Sequence, residues 1–220
     1  AGMICPNMAT MLSFVLTDAA VDTGDLQHAL EQIVDRSFNR ILVDGDTSTN
    51  DTVLVLANGA AGTDTLNMSH PEWPVFAEAL EAVCLTLAKK VVRDGEGSTR
   101  FVTLRLRGAA SDEEADLAIR SVADSIEVRA NWQGDHPDWG RIMHALGYSK
   151  AKIIEEKVDI FYDEIQATRN GTSAGADPEA LAKVVAQEEF ALTIDLNQGG
   201  GEAVLYSCDA TEEYIRINIH

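Results

Sequence analysis

The residue pair with the clearest chemical potential is Ala9-Thr10, a small residue followed by a hydroxyl residue at the start of an apolar stretch. If the bond between them is cut, Thr10 gains a free α-amino group beside its own hydroxyl. An α-amine has an unperturbed pKa near ~8, so it is partly neutral at physiological pH and can accept the hydroxyl proton. Thr10 would then be a nucleophile that needs no histidine. The alternative is an ordinary strand threonine, and the local residues do not decide between the two.

Glu96 is a second candidate, because it lies between Gly95 and Gly97 where a predicted helix gives way to a predicted strand. A carboxylate held at such a junction could bind the ammonium group of a ligand through charge-assisted hydrogen bonds. The local residues alone favour the other interpretation, a turn residue without a ligand.

The polar segment from Asp44 to Asp51 carries three carboxylates, three hydroxyls and one amide. Oxygen ligands of this kind can bind a divalent cation, but the EF-hand spacing and its terminal glutamate are missing. The side chains are therefore predicted to hydrogen-bond their own backbone and to brace a neighbouring site. The spacing of cysteine and histidine indicates no metal site either, so no metal is expected.

Composition argues against several function classes. The chain has 220 residues and a formal net charge of −19, which disfavours binding to a nucleic-acid backbone or an anionic membrane. No apolar run approaches the ~18 residues of a membrane span. Neither Gly-x-Gly-x-x-Gly nor a Walker loop is present, so no dinucleotide or ATP site is indicated. Cys5, Cys84 and Cys208 are far apart in the sequence and are predicted to be buried free thiols in a reducing compartment.

Hydrophobic periodicity and turn residues predict alternating strands and helices that must hold these candidates in place. Helices are predicted at 23–40, 71–93, 111–126, 137–147 and 177–187. Strands are predicted at 3–18, 41–43, 52–57, 99–107, 127–130, 158–162, 190–195, 203–208 and 214–218, with 41–43 and 52–57 forming a hairpin. This order indicates an α+β (mixed α/β) fold with more than one sheet, not a parallel Rossmann sheet.

Longer motifs carry more information than these patterns. The segment from Gly2 to Leu12 closely resembles the self-cleavage segment of the ornithine acetyltransferase family, the bifunctional glutamate N-acetyltransferases of arginine biosynthesis. Four further motifs resemble the other signatures of that family, in the same order: Asp44–Asp51, Gly95–Thr99, Asp138–Ile142 and Tyr214–Asn218. The resemblance covers the whole chain, and several long motifs in one order are far more specific than any single one.

The resemblance implies layered sheets and helices of the self-cleaving ornithine acetyltransferase type. It also implies that a precursor cuts itself between Ala9 and Thr10 through an N-to-O acyl shift. Thr10 would then attack N-acetylornithine to give an acetyl-enzyme and ornithine, and glutamate would take the acetyl group. Besides Thr10, the resemblance assigns substrate contacts to Glu96, which suits the ammonium group of ornithine, and to Asn218.

The same resemblance implies how the chain is organised and what it works with. Residues 1–9 correspond to the tail of an α segment, 10–110 to a nucleophile-bearing α/β region and 111–220 to a C-terminal α/β region. The expected partners are the small-molecule substrates and the α subunit from the same precursor, in an α2β2 heterotetramer. No bound cofactor is expected, with acetyl-CoA as an acetyl donor in bifunctional members, and the expected location is the cytoplasm.

Two other hypotheses stay open. An N-terminal-threonine amidase or aminopeptidase would use the same nucleophile with water as the acceptor. A non-catalytic acidic module would keep the fold and leave the Ala9–Thr10 bond intact. Asp138 stands where the resembled family usually has asparagine before Trp-Gly-Arg, a departure that bears on substrate preference more than on reaction class.

Overall fold

A computed structural model of the chain describes residues 1–5, 11–134 and 136–219. Its helices are α1 Thr23–Arg36, α2 Trp73–Arg93, α3 Asp112–Asp124, α4 Ile126–Asn131, α5 Trp139–Gly147, α6 Pro178–Val185 and α7 Glu212–Asn218. Its strands are β1 Leu12–Thr17, β2 Ile41–Leu42, β3 Thr52–Ala57, β4 Phe101–Ala109, β5 Asp159–Tyr162, β6 Ile165–Arg169, β7 Thr172–Ser173, β8 Glu189–Asp195 and β9 Gly201–Cys208. The predicted mixed α/β fold with more than one sheet is confirmed.

Contacts group the chain into two compact units. Unit one comprises Ala1, Leu42–Asp44 and Val92–His220, and unit two comprises Gly2–Ile41 and Gly45–Val91. Each unit is made of segments that are distant in sequence but contact one another in the fold. The predicted organisation into 1–9, 10–110 and 111–220 stays a prediction about sequence segments.

Unit two is built on a parallel pair of strands, β1 and β3, with Phe14 opposite Leu54. The predicted hairpin of 41–43 with 52–57 is wrong, since β3 pairs with β1 and β2 joins the other sheet. Helix α1 provides the long connection that parallel strands require. The predicted strand 3–18 is also too long, because Met3 has a φ of 58°, a left-handed conformation outside the strand region.

Unit one contains a sheet whose seven strands run in the order β2-β9-β4-β8-β5-β6-β7. β4 lies between β9, its antiparallel neighbour, and β8, its parallel neighbour. Val102 and Leu104 of β4 and Leu192 of β8 are fully buried, as expected for central strands covered by helices. Helix α3 packs against β4 and β9, and α6 packs against β5, β6 and β8. Within the residues that the structure describes, every helix is too short or too polar to cross a membrane.

Residues 127–130, predicted as a strand, lie in the helix α4, so that prediction is wrong. The hydroxyl of Ser125 caps this helix by accepting the Val128 N–H at 3.4 Å. One turn on, Arg129 is 5% exposed, and its Nε donates to the Cys208 carbonyl at 2.9 Å. Its Nη2 donates to the Val43 carbonyl. The Ser125 cap favours the helix, whereas four residues of mixed polarity fit either structure.

The predicted strand 214–218 is wrong as well, because these residues form the C-terminal part of α7. Thr211 begins the helix, with its hydroxyl accepting the Tyr214 N–H at 3.2 Å. Glu212 and Glu213 occupy the first turn, where negative charge favours a helix N-terminus. The alternation of apolar and polar residues that indicated a strand is therefore outweighed by the cap and the charges.

The cysteine thiols give a first testable prediction. None of the three cysteines forms a disulfide, and Cys84 and Cys208 are buried as predicted, whereas Cys5 is half-buried. Burial raises the pKa of Cys84, and it raises the pKa of Cys208 to about 11. Both thiols should therefore stay protonated at pH 8 and resist N-ethylmaleimide until guanidinium unfolds the protein, as measured by peptide mass spectrometry.

The same pKa shifts set the direction of a pH effect on stability. Above pH ~8.5 the unfolded thiols lose protons that the folded thiols retain. The free energy of unfolding should therefore fall as pH rises from that value towards about 11, the pKa of folded Cys208. Rapid labelling of both cysteines in the folded protein at pH 8 would contradict this account.

Candidate functional site

Glu96 and Asn218, two of the three residues predicted to contact substrate, lie together in unit one. The side-chain amide of Asn218 donates from Nδ2 to Glu96 Oε2 at 2.9 Å, across 122 residues of sequence. Glu96 is half-buried and Asn218 is exposed, so the pair is open to a ligand. A carboxylate oriented by a neighbouring amide can accept hydrogen bonds from an ammonium group.

Helix α7 explains how Asn218 reaches Glu96. The same Nδ2 donates to the Tyr214 carbonyl at 2.9 Å, one helical turn back. In a β-strand, Tyr214 and Asn218 would lie on the same face but about 13 Å apart. The hydrogen bond between them therefore requires the helix. The correction from strand to helix therefore matters directly for the site.

The loop that carries Glu96 is held from both sides. On one side the Glu96 N–H donates to the Ala1 carbonyl at 2.8 Å. On the other side the Thr211 hydroxyl donates to the Gly97 carbonyl at 2.8 Å. Gly97 has a φ of +67°, and a Cβ there would lie 2.7 Å from the Tyr214 nitrogen. Only glycine combines this backbone conformation with so close an approach of α7.

Asp209 anchors the residues that follow this loop. It is 3% exposed, and its carboxylate accepts from the Thr99 N–H at 2.8 Å, the Thr99 hydroxyl at 2.8 Å and the Arg100 N–H at 3.0 Å. The Gln133 amide donates to it as well. A buried carboxylate with several donors fixes the local backbone firmly, so Asp209 connects the start of β4 to the segment that leads into α7.

A second group of contacts lies in unit two and involves Met11, which follows the predicted nucleophile in the sequence. Ala9 and Thr10, the predicted cleavage pair, lie outside the described residues. Met11, the next residue, donates its N–H to Asp51 Oδ1 at 2.7 Å. The Ser48 hydroxyl donates to Asn50 Oδ1 at 2.7 Å and accepts the Asn50 N–H at 3.4 Å. The segment Asp44–Asp51 thus bonds within itself, as predicted, and also contacts the neighbouring strand.

Unit two also contains a cavity at this place. It has a volume of about 590 Å³, and its lining includes Cys5 and Met11, which flank the cleavage segment, together with Leu30, Phe38 and Asp51. Its walls are partly apolar and partly charged, as is common for small-molecule sites. Among the residues that the structure describes, no group of three or more histidine, cysteine or carboxylate side chains is arranged to hold a metal ion.

The sequence identified Glu96 and Asn218 but not all the residues that position them. Asp209 and Thr211 were missed, although Thr211 donates to Gly97 in the Glu96 loop and Asp209 accepts from Thr99, which follows that loop. A carboxylate directly after a strand is a weak local signal, and the Thr99 and Arg100 N–H groups from which it accepts lie 110 and 109 residues away. The assignment of Asn218 and Glu96 as substrate contacts stays a prediction.

The chain is similar to known proteins over nearly its whole length. A family model described as the ArgJ family matches residues 1–220. The arginine biosynthesis bifunctional protein ArgJ of Symbiobacterium thermophilum is 48% identical over 217 residues, which cover 99% of this chain and 54% of that protein. The protein of the same name from Geobacter sulfurreducens is 46% identical over 219 residues, covering 99% of this chain and 56% of that protein.

A solved structure extends the likeness to the fold. The crystal structure of the arginine biosynthesis bifunctional protein ArgJ from Bacillus halodurans matches with a TM-score of 0.90 and 40% identity, covering 95% of this chain and 99% of that one. The chain spans about half the length of the curated relatives that it matches. With a family match over its whole length and this agreement in fold, the chain belongs to the ArgJ family.

Proposed function

We propose that the protein containing this chain transfers the acetyl group of N-acetylornithine to glutamate through an acetyl-Thr10 intermediate. The observation that carries the proposal is the 2.9 Å hydrogen bond between Asn218 and Glu96. It unites two residues, distant in sequence, that the family resemblance assigns to substrate binding. Membership of a family whose curated members are named arginine biosynthesis bifunctional proteins supports the same activity.

The proposed chemistry needs two acyl transfers to one hydroxyl. In self-cleavage the Thr10 hydroxyl attacks the Ala9 carbonyl, and the Ala9–Thr10 C–N bond breaks, which frees the Thr10 amine and leaves an ester. Water then hydrolyses the ester, releasing the Ala9 carboxylate and restoring the Thr10 hydroxyl. In catalysis that hydroxyl attacks the acetyl carbonyl of N-acetylornithine while the amine takes its proton. The acetyl C–N bond breaks, the proton goes to the departing amine of ornithine, and an acetyl ester remains. The glutamate amine then attacks the ester and regenerates Thr10.

We also propose that the α segment of the same precursor covers the exposed face of the two-stranded sheet, within an α2β2 assembly. Alternate residues of β1 and β3 present one apolar face to solvent: Leu12 62% exposed, Phe14 55%, Leu16 76%, Leu54 44% and Leu56 50%. A contiguous apolar face of this kind suits a protein partner.

Free thiols and substrates of amino-acid biosynthesis support a cytoplasmic location.

The assay that tests the proposal supplies the full-length gene product with N-acetylornithine, with and without glutamate. We expect ornithine and N-acetylglutamate in equal amounts, and little acetate when glutamate is absent. Release of acetate that needs no glutamate would instead identify an amidase. No turnover together with an intact Ala9–Thr10 bond would identify the non-catalytic module. A parallel reaction with acetyl-CoA in place of N-acetylornithine tests acetyl-CoA as a second acetyl donor. The proposed transfer itself needs no bound cofactor.

Replacing Glu96 with glutamine gives a prediction about substrate binding. The substitution keeps the shape and removes the charge that would face the ammonium group. A hydrogen bond between charged partners contributes ~1.5–3 kcal/mol, so the KM for N-acetylornithine should rise about 10- to 100-fold, with a smaller change in kcat. Steady-state kinetics at several donor concentrations measures both.

The matched control is Asp94→Asn. Asp94 lies two residues from Glu96, its side chain is 89% exposed, and its carboxylate lies 3.6 Å from the Ala1 nitrogen. The change therefore removes the same charge and leaves both atoms of the Asn218–Glu96 hydrogen bond in place. The KM of this control should stay within twofold of the wild-type value. An unchanged KM in Glu96→Gln would remove Glu96 from the substrate site.

A further inference from the structure

Both backbone groups of Met11 are held by consecutive residues at the start of β3. The Met11 N–H donates to Asp51 Oδ1 at 2.7 Å, and its carbonyl accepts the Thr52 N–H at 2.8 Å. The regular parallel pairing begins one residue later, with Leu12 opposite Thr52. The carboxylate of Asp51 therefore extends the strand pairing by one hydrogen bond, in the direction of Thr10.

The environment of Asp51 suits a fixed acceptor. Its loop is tied together by Ser48, which is 3% exposed and bonded to Asn50. Burial raises the pKa of Asp51, whereas the hydrogen bond from the Met11 amide acts in the opposite direction. An N–H donor is bonded more strongly by an ionised carboxylate than by a neutral oxygen.

From this geometry we propose that Asp51 is a positioning residue for the nucleophile: by binding the Met11 amide it fixes the peptide group that joins Met11 to Thr10. The amide nitrogen is bonded to the Thr10 carbonyl carbon, and the peptide group is planar. Holding its N–H therefore limits where the Thr10 backbone can lie. This inference rests on the proposed function, because it gives Asp51 a role only if Thr10 is the attacking residue.

The expected effect follows from the need for a near-attack geometry. The Thr10 hydroxyl must reach the Ala9 carbonyl in self-cleavage and the acetyl carbonyl in transfer, and a displacement of ~1 Å can cost about 100-fold in rate. Asp51 contacts neither carbonyl in this scheme. Its loss should therefore lower the cleavage rate and kcat and leave the KM nearly unchanged.

The chain offers a closely matched control in Asp25. Its Oδ2 accepts the Met68 N–H at 2.8 Å, also within unit two, across 43 residues of sequence. The Asp51 bond spans 40 residues and is similarly exposed. Asp25→Ala and Asp51→Ala thus remove the same kind of interaction, and only the second removes one beside Thr10.

The test uses the full-length gene product carrying Asp51→Ala, Asp51→Asn, Asp51→Glu or Asp25→Ala. The half-time of Ala9–Thr10 cleavage is followed by intact-mass spectrometry, and kcat is expressed per freed Thr10 N-terminus. Asp51→Ala should slow cleavage and lower kcat about 10- to 100-fold, with the KM within threefold. Asp51→Asn keeps an acceptor oxygen and should restore both rates to within a few-fold. Asp25→Ala should lower the Tm about as much as Asp51→Ala does, and should leave the cleavage rate and kcat within twofold of the wild-type values.

Asp51→Glu keeps the proposal testable if Asp51→Ala fails to fold, because it retains the charge and displaces the acceptor by one methylene. It should slow cleavage at a nearly unchanged Tm. Wild-type rates in Asp51→Glu or Asp51→Ala, or an equal slowing in Asp25→Ala, would overturn the inference. If the wild-type protein neither cleaves nor transfers acetyl, it is the proposed function that fails, whatever the variants do.

Discussion

Replacing Thr10 with alanine should abolish both cleavage of the Ala9–Thr10 bond and acetyl transfer in the full-length protein. In the proposed mechanism the Thr10 hydroxyl is the attacking group in both reactions, and its amine can act as base only after cleavage. Loss of a catalytic nucleophile lowers kcat on the order of 10⁴- to 10⁶-fold. Intact-mass spectrometry measures the cleavage, and formation of N-acetylglutamate measures the transfer.

Two further variants make this result specific. Thr10→Ser keeps a hydroxyl and should retain cleavage and measurable transfer. Thr17→Ala removes a hydroxyl at the C-terminal end of β1, where Thr17 accepts the Ala19 N–H at 3.2 Å, and should leave both reactions intact. If Thr10→Ala still cleaves or still forms N-acetylglutamate at the wild-type rate, Thr10 is not the nucleophile.

Asp209→Ala is expected to have the largest effect on stability, lowering the free energy of unfolding by about 3 kcal/mol. The carboxylate accepts the N–H groups of Thr99 and Arg100 and is 3% exposed. Removing it leaves these donors without their acceptor, and each unsatisfied buried donor costs ~1–3 kcal/mol. Urea denaturation followed by circular dichroism measures the loss.

The companion variant Asp209→Asn separates hydrogen bonding from charge. It keeps one acceptor oxygen for the two backbone donors, but its NH₂ group would face the Thr99 hydroxyl and the Gln133 amide. We expect a loss of about half that of alanine. A change below about 0.5 kcal/mol in Asp209→Ala, the range of ordinary surface substitutions, would show that Asp209 does not anchor the start of β4.

Local patterns predicted those elements whose signals agree with one another. Ser111–Glu114 has the sequence of a capping box, which predicts the start of α3, and the Ser111 hydroxyl accepts the Glu114 N–H at 3.3 Å. The strand β8 was predicted from its apolar alternation, and Phe190, Leu192 and Ile194 are buried. In such segments propensity, capping and burial lead to the same structure.

Segments with conflicting signals were predicted poorly. In α7 the alternation of Tyr214-Ile215-Arg216 indicated a strand, but the Thr211 cap and the following glutamates favour a helix. The strand β6 was not predicted, because Ile165–Arg169 has few apolar residues and depends on pairing with β5. Tertiary contacts decide such short segments, and one sequence does not display them.

The site divides in the same way between what motifs indicate and what only the fold provides. Sequence motifs single out Thr10, Glu96 and Asn218. They do not show that Asn218 bonds to Glu96, because that contact depends on the helical turn of α7. They include Asp51 only as a member of the polar segment Asp44–Asp51, and they leave out Asp209. The backbone groups that these two carboxylates bind are visible only in the structure.

The acetyl-enzyme itself gives the most direct test of the central claim. The full-length protein is incubated with N-acetylornithine in the absence of glutamate, quenched in acid and digested for mass spectrometry. We predict that the peptide beginning at Thr10 gains the mass of one acetyl group on the threonine side chain, and that added glutamate removes it. Turnover to N-acetylglutamate with no acetyl group on Thr10 at any time would contradict the account.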